Sequence, residues 1–499
     1  MRSQLKGHTL DLPILRQTSR GLIVALCLAY LLLQLFLLFR LPLSYDEGIN
    51  LQVSRFIAQG YQPYTQIFTL SGPLFIGFIG WLGSLGLSVS TIKLVFALFG
   101  IVLLSAVAAA ADYTAGRTSA LAAVFLLGTA TTFLNEVGMV VAIIPATGIA
   151  LLSLVMMQRY QRSGQIVWLV AGGFISLIAL FISISAWVVG VVTLLHLIFP
   201  KTHSDQPQPL TLKSLGLWLI GAVAALLIGL GLTTPDVLLN VVLKNHLTLW
   251  SNLPLDIAAN FGIMGQFLGF NIWLFLFTVY GIAQLYDQPH HPLWLIVIWL
   301  ALSAGGLTIQ PTLRLVDAAI LLPPMAIIGG WGLVQLAARI TTVYRQKYTQ
   351  RPQATTHRIL IALCLFILYA FISYHRFEAY LLREVDTQTD YQQIQQRDEI
   401  AAFIDQHTSS DACVIIDDAA LAIVANRLPT PSLVGLSEAR LKGGLLTDKE
   451  LATLIIEGQC RTIVFSKREY YQPFNDVGSW VTTNFPHEKE LLGTRIYAQ

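Results

Sequence analysis

From Leu22 to Phe39 the chain runs 18 residues without a charge, and Arg40 closes the run. That length of apolar sequence is enough to cross the hydrocarbon core of a bilayer. It is too long for a signal-peptide core and lacks a small-residue cleavage site after it. Arg2, Lys6, Arg16 and Arg20 precede it, so an uncleaved first membrane helix is expected. Comparable runs recur at 90–111, 118–134, 138–157, 166–181, 184–199, 216–232, 270–286, 292–308, 315–337 and 358–374. With 21–39 they make about eleven spans. The apolar segment 73–87 is short and glycine-rich and reads as re-entrant or interfacial.

Only 12% of the residues are charged, against about a quarter in soluble domains. Most of the chain therefore belongs in lipid. A net charge of +3, without a basic run interleaved with aromatics, argues against a nucleic-acid partner. Lys and Arg set the orientation. With the N-terminus inside, the basic segment 338–358 also falls inside. The loop after the first span, and everything after residue 375, then falls outside. The expectation is a multi-pass protein of the plasma (inner) membrane, with the N-terminus cytoplasmic.

The first outer loop, within 40–89, carries most of the chemistry. Asp46 and Glu47 stand within a few residues of the bilayer edge, where a carboxylate is costly unless solvated, capped or used. Ile49, Val53, Phe56 and Ile57 follow at helical spacing, which predicts a short amphipathic helix along the membrane surface. Gly60 ends it and Pro63 forbids its continuation. Then come Tyr61, Tyr64 and the step Gly72-Pro73-Leu74. Ser44-x-x-Glu47 also fits a capping box, in which Glu47 reaches back to the Ser44 amide and Asp46 merely favours the helix start.

The order Asp46-Glu47-Gly48, Gly60-Tyr61-Gln62-Pro63-Tyr64, Pro73-Leu74 resembles the first extracytoplasmic loop of the GT-C membrane glycosyltransferases. The likeness is to protein O-mannosyltransferases and to bacterial enzymes that put aminoarabinose or other sugars on lipid A. The helix layout of most of residues 1–375 fits as well. The resemblance implies a sugar transferred, with inversion, from a polyprenyl-phosphate donor. The acceptor would be a lipid, a glycan or a protein. Asp46 would be the base or acceptor-orienting carboxylate, with Glu47 beside it. Glu136, at the outer end of the 118–134 span, takes the place of a second acid that is more often Asp. Arg314 matches a position often basic before the penultimate helix. One departure is that the slot for a lysine just before the Pro-Leu step holds Ser71 or Gly72.

Lys93 and Arg55 are further outer cations for a donor phosphate, although Lys93 has a stem long enough to snorkel. The outer loop 233–269 should hold a surface helix from Pro235 to His246. His246 and Trp250 then offer a rim where a sugar could stack, and Trp250 also suits an interfacial aromatic belt. His290-His291 stands alone, no Cys/His cluster has zinc spacing, and neither a metal nor another cofactor is expected. A polytopic transporter or lipid-carrier flippase without transferase activity is the alternative class. Its usual midplane charges and repeats are not evident.

After about residue 390 strands alternate with helices, which predicts a soluble C-terminal α/β domain (376–499) with a largely parallel sheet. Strands are expected at Cys413–Asp417, Thr462–Ser466 and Thr494–Ala498, and helices at 391–407, 419–426, 448–457 and 476–484. Asp417-Asp418 reads as a solvated strand end or a helix N-cap. Cys413 and Cys460 each open a strand. If those strands are parallel neighbours, the two cysteines are about 5 Å apart and within reach of a disulfide.

Overall fold

The computed structural model describes residues 13–38, 41–198, 212–348, 369, 372–375, 387–409, 412–436, 438–465, 480–481, 483–491 and 494–498. Most of the expected span 358–374, residues 349–358 of the basic inner segment, and most of the helix 476–484 lie outside them.

The chain is built first from apolar helices. In order they are α1 (Pro13–Leu38), α2 (Tyr45–Ala58), α3 (Pro73–Ser84), α4 (Val89–Ala115), α5 (Arg117–Gly128) and α6 (Thr131–Glu136). Then follow α7 (Ile143–Ser163), α8 (Ile166–Ile182), α9 (Trp187–Ile198), α10 (Leu212–Leu232) and α11 (Lys244–Asn252). The set closes with α12 (Ile257–Phe270), α13 (Ile272–Leu285), α14 (Trp294–Thr308) and α15 (Leu322–Tyr348). Five helices among the described residues are long and apolar enough to cross a membrane, or six if α12 and α13 count as one broken span. Five more are apolar but only 10–17 residues long. Leu28, Leu32 and Phe36 on α1, and Ile220, Val223 and Leu227 on α10, are exposed, which gives these helices open apolar faces for lipid.

Three expected elements differ in detail. The 118–134 span is broken between Gly128 and Thr131 into α5 and α6. A further helix, α12, precedes 270–286 and meets α13 at 97°. The 235–246 helix instead consists of a π-helical stretch, Val237–Leu243, running into α11, so Trp250 is on the helix rather than after it. The helix expected from Ile49, Val53 and Phe56 is present as α2, and Gly60 follows it with φ +94°.

Close packing depends on small residues, because in lipid helices gain by backbone approach rather than by hydrophobic burial. A Cβ at Gly173 on α8 would lie 1.9 Å from the Trp218 carbonyl of α10. Polar side chains pin the bundle where backbone groups are open. Gln34 Nε2 donates to Leu134 O at 2.9 Å, tying α1 to α6, and Asn271 Nδ2 donates to Thr132 Oγ1 at 2.7 Å.

The C-terminal part holds α16 (Thr387–His407), α17 (Ala419–Val424), α18 (Glu438–Lys442), α19 (Asp448–Glu457) and a four-stranded sheet. Its strands are β1 (Val414–Ile416), β2 (Thr462–Phe465), β3 (His487–Leu491) and β4 (Thr494–Ala498), in the order β1-β2-β4-β3. Alternate residues feed two cores. Val414, Ile416, Val464 and Ile496 pack with α16 and α17, while Ile415, Ile463 and Tyr497 pack with α19. The expectation of a largely parallel sheet is corrected: among the described strands only β1–β2 is parallel, and β2–β4 and β3–β4 are antiparallel. The reason is β3, whose sequence His-Glu-Lys-Glu-Leu carries no apolar alternation and whose charges suit an exposed edge. Cys413 and Cys460 are joined by a disulfide at the parallel β1–β2 edge.

Candidate active site

Helix α2 starts with a complete capping box. Ser44 Oγ accepts from the Glu47 amide, and Glu47 Oε2 accepts from the Ser44 amide at 2.9 Å. Glu47 does more than cap. Its other oxygen, Oε1, lies 3.3 Å from Lys93 Nζ on α4 and accepts from the Val140 amide at 3.3 Å. The Glu47 and Lys93 side chains are 0% and 5% exposed. Breaking such a pair costs about 3–5 kcal/mol, because the remaining charge is stranded. The structure therefore gives both residues an anchoring task. It draws Lys93 inward to Glu47 and away from the open face where a donor phosphate was expected.

Asp46 takes no part in the cap. It turns to Arg314, whose Nη1 stands 2.6 Å from both carboxylate oxygens. Arg314 is held from behind by Asp317. Its backbone amide and Nε donate to Asp317 Oδ2 at 3.0 and 3.3 Å, and Nη2 donates to Oδ1 at 3.2 Å. Asp317, and then Asp46, keep the guanidinium even more firmly protonated than usual. The Arg314 and Asp46 side chains are 56% and 26% exposed. An ion pair so open to water adds about 0–1 kcal/mol of stability. Two residues earlier Thr312 adopts φ +56°, a left-handed backbone that is unfavourable for a β-branched side chain. Such strain costs about 1–3 kcal/mol, more than the pair returns, and strain of this kind clusters at functional sites.

The turn after α6 closes the floor. Asn50 Nδ2 donates to Val140 O at 2.7 Å, beside the Val140 amide that binds Glu47. Glu136, the last residue of α6, is fully buried.

The C-terminal part of the chain forms the other wall of α2. Arg397 on α16 donates to Asp418 Oδ2 from Nε at 3.0 Å and from Nη2 at 2.7 Å. Its Nη1 donates to Leu43 O at 2.9 Å, just ahead of the α2 cap. Asp418 is the N-cap of α17 and is buried rather than solvated. A Cβ on Gly48 would lie 2.4 Å from the Ala419 carbonyl carbon, so α17 meets α2 backbone to backbone. Farther along, Tyr45 Oη donates to Leu436 O, and the Arg440 guanidinium stands 3.8 Å over the Phe68 ring.

Other residues singled out by sequence divide between support and surface. Tyr64 has φ +69° and donates from Oη to Ser71 O at 2.6 Å, closing the turn. His246 Nε2 donates to Leu70 O at 2.9 Å, so the α11 region braces the same loop. Trp250 is exposed on α11. Arg55 and Tyr61 lie at the far end of α2. Arg55 donates to Asn426 Oδ1 at 3.0 Å, and Tyr61 stands exposed with its ring edge-on to Phe56. Sequence reasoning gave no role to Asp317, Gly48 or Arg397. Asp317, three residues after Arg314, left the only local signal.

No protein-family model matches the chain, and no curated protein matches its sequence. Its fold is that of the GT-C membrane glycosyltransferases. One match is ArnT, the lipid A aminoarabinose transferase, from Cupriavidus metallidurans, solved with undecaprenyl phosphate bound. The TM-score is 0.63 at 14% identity, over 96% of this chain and 97% of that one. Another is the oligosaccharyltransferase AglB from Archaeoglobus fulgidus, solved with an inhibitory peptide and a dolichol-phosphate. It gives a TM-score of 0.56 at 11% identity, over 90% of this chain and 69% of that one.

Proposed function

We propose that this protein is a membrane glycosyltransferase that moves a sugar, with inversion, from a polyprenyl-phosphate donor to an acceptor hydroxyl or amine on the extracytoplasmic side. The acceptor belongs to a lipid, a glycan or a protein. Residues 1–375 form the membrane domain, and 376–499 form an extracytoplasmic domain that braces the loop at 40–89. The observation that carries the reading is Arg314 Nη1 set on both oxygens of Asp46 at an open face, across 268 residues of sequence.

In the resting site Arg314 neutralises Asp46. A donor phosphate competes for the guanidinium fork, which suits phosphate geometry. Asp317 keeps its hold on Arg314, so the cation stays in place while Asp46 is freed. Asp46 then accepts the acceptor proton as the nucleophile attacks the anomeric carbon. The bond from that carbon to the phosphate oxygen breaks, and Arg314 stabilises the charge on the departing phosphate. Glu47 and Lys93 hold the helix that carries Asp46.

The test is transfer from a polyprenyl-phosphate sugar by the purified full chain. Asp46→Asn should lower the rate about a hundredfold or more, the scale of general-base help. Expression and thermal midpoint should stay normal, since the exposed pair adds little stability. Ser44→Ala, which removes one capping bond, should leave the rate near wild type. Near-wild-type transfer by Asp46→Asn would overturn the reading.

A further inference from the structure

Arg55 and Tyr61 do not join the Asp46 centre. Nine residues separate Asp46 from Arg55, which is two and a half helical turns, so they lie on opposite faces of α2 about 13 Å apart along its axis. Both Arg55 and Tyr61 open instead into a cleft of about 660 Å³ between the end of α2, the α3–α4 turn and the C-terminal domain. That volume is within the 300–1,000 Å³ usual for small-ligand sites.

The lining has a clear chemical character. Gln59, Ser88, Asn426 and Thr430 offer amides and hydroxyls, and Tyr61 offers an exposed ring braced by Phe56. No carboxylate lines the cleft among the described residues, and none of them forms an ion pair with Arg55. Burial presses the Arg55 guanidinium toward its neutral form. The C-terminal dipole of α2 offsets this by only about 0.3–1 kcal/mol. Asn426, itself at φ +51°, fixes one edge of the guanidinium with a single neutral acceptor. A half-desolvated cation with a neutral partner favours an anion. Hydroxyl and amide partners beside an exposed aromatic ring favour a sugar.

Depth supports the same reading. The cleft is lined by Val89, the first residue of the membrane-crossing candidate α4, and by Gly83 and Gly86, beside the exposed Trp81 and Leu85. An aromatic and apolar rim at the end of a span sits at head-group level.

We propose that this cleft is a second ligand site, separate from Asp46, for an acidic saccharide, with Arg55 on the acid group and Tyr61 against the ring. The saccharide is either free or the head group of a membrane lipid, and the site works whether or not the chain transfers sugar.

Binding is measured on the full chain in phosphatidylcholine nanodiscs, without any donor, so the transferase reading does not enter the result. The probes are a uronate-bearing tetrasaccharide, its carboxyl-reduced neutral form, and the same tetrasaccharide on a dialkyl anchor. The acidic form should bind at least tenfold more tightly than the neutral one. Arg55→Gln should erase that margin. Tyr61→Ala, at an exposed position that does not endanger folding, should weaken both forms at least fivefold. Tighter binding of the anchored form assigns the ligand to a lipid head group, and equal binding to a free saccharide. Equal affinity for acidic and neutral forms, or an unchanged margin in Arg55→Gln, overturns the proposal. Equally effective competition by sugar-free phosphatidylglycerol also overturns it.

Discussion

Gly48→Ala is the sharpest probe of how helix α17 holds the Asp46 helix. In an unhindered helix interior Ala is favoured over Gly by about 1 kcal/mol. Here the added Cβ would stand 2.4 Å from the Ala419 carbonyl carbon and the Ala420 nitrogen, where ordinary contact begins near 3.4 Å. Both neighbours are backbone, so no side chain can swing aside. Helix α17 must retreat from α2 by about 1 Å, straining the Gln52 Nε2 bond to Ala419 O. Overpacking of this kind costs about 1–3 kcal/mol. Less the gain in propensity, the expected net loss of stability is roughly 0–2 kcal/mol. The loss in transfer should be larger, because a displacement of about 1 Å at a catalytic group can cost about a hundredfold in rate. The assay is the initial rate of sugar transfer alongside the thermal midpoint of the same preparation. The control is Gly77→Ala on α3, where an added Cβ meets nothing within 4 Å. A wild-type rate for Gly48→Ala, or an equal loss in Gly77→Ala, would refute the reasoning.

Glu47→Gln should destabilise the fold by about 3–5 kcal/mol by stranding Lys93, and adding Lys93→Met should recover most of that loss. A double variant no more stable than Glu47→Gln would show that the pair is not the cause. The Cys413–Cys460 disulfide closes a sequence separation of 47 and should contribute about 4 kcal/mol through loop entropy. Replacing both cysteines by Ser should lower the denaturation midpoint of the protein. Alkylation of both thiols in the unreduced, unfolded protein would rule the bond out.

Local features were legible because their signals are local. The α2 helix, its capping box and its Gly60 stop follow from consecutive residues. The reach of Cys413 to Cys460 follows from two strand starts. The sequence left Glu47 open between cap and chemistry, and only the packing of α4 and the Val140 turn against it shows how deeply it is committed. Lys93 looked like an outer cation because charge is visible in sequence and its buried partner is not. Pairing Asp46 with Arg314 could not come from any periodicity. Gly48 entered the motif Asp46-Glu47-Gly48, but its packing task gave no signal, because a helical glycine records a close approach only once the approaching backbone is known. Strand β3 hid for the opposite reason: an edge facing water carries no apolar alternation. The bend between α12 and α13 was missed because an apolar count records length and not direction.

The long-range pairing of the site also has a timetable. Lys93 follows Glu47 by 46 residues, whereas Arg314 follows Asp46 by 268. At about 5–20 residues per second of synthesis, the buried glutamate can be neutralised within roughly 2–10 s. Asp46 waits roughly 13–55 s for its arginine, and Leu43 waits longer still for Arg397. The nascent chain thus settles its buried charge while the first few spans are being inserted. Asp46 stays uncompensated until at least 314 of the 499 residues have been made.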